Sequence, residues 1–193
     1  RLKIRLLLQT GAYGSITQSP ETLYLTGPLT AELAEAFPQF GKDMPPFLYK
    51  LAESRIAVFK KRYAEAWSSV QEAFGIEHTF ADLASPALLS DIGKAGVYGA
   101  ENAADAAAFF EDFAAQARSA AAEEHISDEE KRRYLFYTSF YEARCRTKIG
   151  GAAQREQAVK LFLQATELTD TDADFDSALW YYLDTVKIRG LSR

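Results

Sequence analysis

One spacing occurs three times in this chain: Ala66, Val70 and Ala73; Ala106, Phe110 and Phe113; Ala158, Phe162 and Ala165. Steps of four and three return to the same face of an α-helix. On that face a large side chain sits next to small ones. A second helix can approach closely at the small positions while the large residue fills the space between. The segments before each triad offer small residues of their own, Ser54, Gly93 and Ala143. Each triad is therefore expected to close against the segment that precedes it. Antiparallel helices joined by short turns are αα-hairpins, and hairpins piled on one another form a solenoid. The expected fold is all-α, with stacked antiparallel hairpins in an α-superhelix.

The punctuation of the chain agrees with this plan. Gly and Pro are few (11 and 6) and long alternating runs of β-branched residues are absent, so strands have little to form from. Ser19-Pro20 and Ser85-Pro86 each put a capping serine before a proline at the first helical position. Ser127 and Glu130 have the spacing of a capping box. A short helix is expected to stop at Phe37-Pro38, and Pro45-Pro46 opens the next. Gly150-Gly151 ends an aromatic-rich helix. Segment 1–9 reads as the tail of a helix broken by the GAYG turn at 11–14. The hairpins fall at about 45–75, 85–122 and 128–169, followed by a closing helix at 176–190 capped by Asp176. All belong to a single helical-repeat domain over 1–193. In the closing helix Leu179, Trp180, Leu183 and Val186 share a face, widened by Tyr181 and Tyr182. That face needs a partner, either Phe162 and Leu168 or the return half of a further hairpin, and Trp180 is expected to face protein.

The offsets of the return helices resemble those of the tetratricopeptide repeat over 47–169. The intervals from Ala66 to Ala106 and from Ala106 to Ala158 are longer than the family period of about 34 residues. Asp170 stands where that family usually closes a repeat with proline. A second resemblance, carried by 47–74 and by 134–182 with its ALWYYLD helix, is to the superhelical, non-catalytic region of soluble lytic murein transglycosylases. It implies a periplasmic or cell-envelope frame that binds glycan strands in a concave groove, with a lysozyme-like catalytic domain elsewhere in the parent chain. The Glu-Ser motif in the glycine-rich surroundings of that domain is not in this sequence. The chain opens on Arg1 rather than Met and is read as a piece of a longer protein. The alternative is a tetratricopeptide-like scaffold for a protein or peptide.

Charge narrows the partners. A net charge of -5, with no run of Lys and Arg that would track phosphates, argues against a nucleic-acid surface. No apolar stretch approaches the roughly 20 residues that cross a bilayer. The single cysteine, Cys145, lies on a helix, where burial is the commoner state. His78 and His125 have no second ligand at helical spacing, so neither zinc nor a histidine-based catalytic pair is expected. Asp170, Asp172, Asp174 and Asp176 alternate, yet an EF-hand counted from Asp170 would need Gly at Phe175 and Glu at Tyr181. The run reads as a solvated turn, and no cofactor is expected. No carboxylate pair, phosphate loop or nucleophile elbow supports catalysis within this chain.

Binding is the better prospect. Tyr134, Tyr137 and Tyr141 form one stripe of a helix and Phe136 and Phe140 a neighbouring one. One stripe belongs to the core and the other is available to line a groove, where ring faces stack on sugars or clasp a peptide. Arg132, Arg133, Arg144 and Arg146 surround the stripes and could hold carboxylates of a peptide or a wall stem, or simply pair with Glu129, Glu130 and Glu142. The site expected from sequence is Tyr134, Tyr137 and Tyr141 with Arg133 and Arg144.

Overall fold

The computed structural model describes residues 19–79, 83, 85–123, 126–169 and 171–190. Segment 1–9, the GAYG turn, His125 and Asp170 lie outside them. The described residues are all-helical, with no strand. In order the helices are α1 (Pro20–Leu25), α2 (Ala31–Phe40), α3 (Pro46–Phe59), α4 (Tyr63–Phe74), α5 (Pro86–Gly99), α6 (Ala103–Glu123), α7 (Asp128–Ile149), α8 (Ala152–Leu168) and α9 (Asp172–Gly190). A single 3-10 turn, Gly41–Asp43, separates α2 from α3.

Local chemistry sets the boundaries. The Ser85 hydroxyl accepts from the Leu88 amide at 3.4 Å ahead of Pro86. Ser127 and Glu130 close a reciprocal capping box on α7, satisfying donors that the first turn leaves without partners. Gly150 and Gly151 have φ of 77° and 79°, a left-handed region where a Cβ is strained, and so α7 turns into α8 within two residues. Two boundaries differ from the sequence expectation. Helix α2 runs through Pro38 to Phe40. Helix α9 begins at Asp172 rather than 176, because the Thr171 hydroxyl accepts from the Asp174 amide at 3.2 Å and acts as the cap. Asp176 is an exposed residue inside the helix.

Every member of the three triads is buried. Their partners are more specific than the spacing implied. Helix α4 packs on α3 and also on α5, and α8 lies between α7 and α9. Helix α6 lies along α7, while it meets α5 chiefly where Phe110 enters a notch at Gly96. The segment 85–122 is thus not a hairpin closed along its length. Gly93 serves α7 rather than α6: a Cβ there would stand 2.0 Å from the Tyr141 ring. The outgoing helices α3, α5 and α7 also touch in succession.

Rings carry the interior from one pair to the next. Phe74 meets Phe47 at 5.9 Å and Phe113 at 5.2 Å, and Phe113 meets Tyr134 at 6.5 Å. Trp67 and Tyr141 both contact Phe110. Phe162 stands between Phe140 at 6.0 Å and Tyr181 at 5.8 Å. At the N-terminal end the rings of Tyr24, Phe37 and Tyr49 pack together and the buried Arg55 adds a polar tie. Its Nε pairs with Asp91 at 2.9 Å, and its Nη1 and Nη2 donate to the carbonyls of Tyr24 and Gly27. One guanidinium thereby ties α3 to α5 and to the end of α1.

The closing helix lies on α8 with Tyr181 against Phe162, one of the two expected arrangements, but Trp180 does not face protein. Ala178 and Thr185 are buried, and Tyr181 and Tyr182 pack partly on the core. Trp180 is 60% exposed, and Phe175 and Leu183 are exposed as well. Ala178 decides the phase: a small residue against α8 allows close approach and brings the Tyr181 ring onto Phe162, leaving the face with Trp180 and Leu183 outward.

Three substitutions test this packing. Gly93→Ala is expected to destabilise the fold by roughly 1–3 kcal/mol, because the Tyr141 ring must move. Gly75→Ala, where φ is -80° and the nearest atom stands at 3.4 Å, should change stability by less than about 0.5 kcal/mol. Asp91→Ala strands the Arg55 cation and should cost about 3 kcal/mol. Urea unfolding followed by circular dichroism measures all three, and equal losses from the two glycine variants would refute the notch.

Candidate functional site

Helix α7 carries most of the residues singled out from the sequence, and the fold sends them to three different places. Tyr134 is fully buried against Phe113. Tyr141 is 4% exposed, its ring set into the Gly93 notch and its hydroxyl 3.1 Å from that of Ser90. Burial raises its pKa above the ordinary tyrosine value. These two tyrosines are core residues, and their rings are not available to a ligand. Phe136 and Phe140 are buried too, so both stripes feed the interior. A helix between α5, α6 and α8 has too little free perimeter to leave a whole stripe outside.

Tyr137 and Arg133 do come together. They line a cleft of about 190 Å³ with Pro86, Phe136, Leu168 and Asp174, where the start of α5 meets the α8–α9 turn. Tyr137 is half-buried, and its pKa is pushed up to about 12, first by burial and then by the Asp174 carboxylate. Arg133 is engaged by Glu129 at 2.6 Å. With Asp174 and Glu129 both on its walls, the cleft carries more negative than positive charge.

Arg144 lies elsewhere. Its Nη2 donates to the Tyr98 hydroxyl at 2.6 Å. Its guanidinium carbon stands 4.7 Å from the Tyr181 centroid, 5.1 Å from that of Tyr98 and 5.8 Å from those of Phe140 and Tyr141. One turn further, Lys148 Nζ stands 5.2 Å from the Tyr98 centroid and donates to the Val97 carbonyl. Tyr98 is 50% exposed and touches Tyr63 at 5.1 Å. Tyr181 meets the exposed Trp180 edge-on at 4.8 Å. The result is a continuous surface ladder, Tyr63–Tyr98–Arg144–Tyr181–Trp180, crossing from α4 to α9.

The cations of the ladder differ from their neighbours. Arg146 is held by Glu142 at 2.6 Å, Glu111 at 3.0 Å and Gln154 at 2.9 Å. Among the described residues, Arg144 and Lys148 have rings, a hydroxyl and a carbonyl as partners and no carboxylate within ion-pair distance. Sequence reasoning named Arg144 but missed Tyr98, Lys148 and Tyr181. The i,i+4 spacing of Arg144 and Lys148 was a usable signal. The arrival of Tyr98 was not, since it depends on how α5 crosses α7.

The remaining candidates have structural places. Cys145 is fully buried, and burial pushes its thiol up to about 12. His78 stacks on Phe47 at 4.3 Å. Among the described residues no three His, Cys, Asp or Glu side chains converge as a metal site, and no helix is long and apolar enough to cross a membrane. What the ladder offers chemically is donor hydrogen bonds, positive charge and exposed ring faces. Comparison with known proteins found no matching family model, curated protein or solved structure.

A thiol reagent reports on this arrangement. At pH 8 Cys145 should stay unlabelled in the native protein and react within minutes in 6 M guanidinium, because only a thiolate with access to solvent attacks. Rapid native labelling would contradict the burial of α7.

Proposed function

We propose that this chain is a non-catalytic helical scaffold that holds an extended ligand along the surface of its outgoing helices. In this reading the ligand is peptidoglycan, the setting is the periplasm, and the chain is the superhelical part of a cell-wall enzyme of the soluble lytic transglycosylase type. The observation that carries the reading is the ladder from Tyr98 through Arg144 to Trp180. Ring faces left in water on two outgoing helices, α5 and α9, with the Arg144 cation of α7 between them, suit an elongated partner with flat, CH-rich surfaces better than they suit a small substrate. The likeness to the transglycosylase region rests on the sequence textures of 47–74 and 134–182. A curved, tetratricopeptide-like progression is proposed with it, supported by the succession of contacts from α3 to α5 to α7.

Binding to the wall is tested by co-sedimentation with purified murein sacculi. The chain is expected to sediment with sacculi, to release no soluble muropeptide, and to lose most of its binding in Tyr98→Ala with Trp180→Ala. Both side chains are half or more exposed, so the double variant should fold. Retention of a peptide library with no retention on sacculi would select the general peptide scaffold instead.

A further inference from the structure

We propose that Arg144 and Lys148 form a carboxylate clamp, and that it takes the free carboxylate of a wall stem peptide rather than the sugar of the glycan strand. The inference rests on the wall-binding reading and assigns which part of the wall is recognised.

Sugar hydroxyls both donate and accept, and a surface that reads them needs acceptors as well as donors. At the ladder charged donors predominate, the tyrosine hydroxyls being the side-chain groups that also accept. Arg144 uses one of five N–H donors on Tyr98, and Lys148 uses one of three on Val97. The complement of such a surface is a group that only accepts, and an ionised carboxylate is the peptide group that does so with full charge.

Charge points the same way. Some cations of this acidic chain are neutralised in place, such as Lys50 by Glu53 and Glu72 or Lys94 by Asp91. The pair at Arg144 and Lys148 is compensated by no carboxylate among the described residues. Two positive charges on a chain of net charge -5 attract one small anion at close range while repelling a polyanion at long range. The rings then fix the body that bears the charge. Tyr98 and Trp180 present exposed faces on either side of Arg144, so a carboxylate on Arg144 places its neighbouring aliphatic groups over a ring. The ring stack also holds the guanidinium in position before a ligand arrives, which lowers the ordering cost of binding.

Calorimetry on the whole chain tests the clamp with three probes: a murein stem tetrapeptide with free carboxylates, the same peptide fully amidated, and peptide-free glycan strands. The free peptide should bind, amidation should weaken binding roughly ten- to a hundredfold, and the bare glycan should bind no better than the amidated peptide. Affinity for the free peptide should fall between 50 and 500 mM salt. Arg144→Gln with Lys148→Gln should abolish the difference between free and amidated peptide. Lys148→Gln alone, at an exposed position, should reduce it by about half on a logarithmic scale and guards against a folding defect in the double variant. Equal binding of free and amidated peptide, or of murein with and without its peptides, overturns the clamp and leaves the wall scaffold standing. Failure of intact sacculi and of every probe to bind overturns both.

Discussion

The architecture depends on rings entering notches cut by small residues. Gly93 admits the Tyr141 ring and Gly96 admits Phe110, each at a distance that no Cβ would permit. Such contacts hold helices closer than side chains normally allow and fix their register along the axis as well as their separation. Tyr141 belongs to α7, Phe110 to α6 and both notches to α5. The middle of the chain is thus locked by one helix that receives a ring from each of its successors. A generic apolar face on α5 would leave either neighbour free to slide.

That lock has consequences at the surface. With Tyr141 committed inward at Gly93, the next residues of α7 are fixed in rotation. Arg144 is carried to the edge of the core, where it stands over rings rather than beside carboxylates. Tyr98, at the end of α5, is brought beneath it by the same crossing. The closing helix completes the set, since Ala178 draws α9 onto α8 and sets Tyr181 between Phe162 and Arg144. No residue of the ladder is held by another ligand or by loop geometry. Each is placed by the packing of the helix that bears it.

How far the sequence could be read follows from the same physics. The triads were legible because helical spacing is local, and burial of Ala106, Phe110 and Phe113 needs only that some helix cover them. Which helix covers them was not legible. The assignment of Gly93 to a return helix failed because a glycine advertises room without naming its occupant, and the occupant, Tyr141, lies far along the chain. The face of α9 was misjudged for a related reason. Trp180 and Leu183 weigh most in any count of apolar area, yet a single alanine at 178 sets the approach to α8, and close packing outweighs bulk. Tyr134 and Tyr141 looked like a surface stripe because aromatic periodicity is the same for a core and for a groove. Only the number of neighbours around α7 separates the two.

Helix α7 shows how one segment can serve core and surface at once. Glu142 and Arg146 are four residues apart, as are Arg144 and Lys148, and the two pairs are offset by two positions. An offset of two is about 200° around a helix, so the pairs point to opposite sides. On one side a buried carboxylate, whose pKa burial raises in spite of Arg146, is matched by a cation and the charge is closed within the fold. On the other side two cations meet only rings and neutral oxygens. A chain with 27 acidic residues has ample means to neutralise them, and neighbouring cations are neutralised at 2.6 to 3.2 Å. Leaving this pair open costs little in stability, because exposed ion pairs contribute at most about 1 kcal/mol. It keeps a preformed positive site, with its arginine already held in place, facing water beside two exposed aromatic faces.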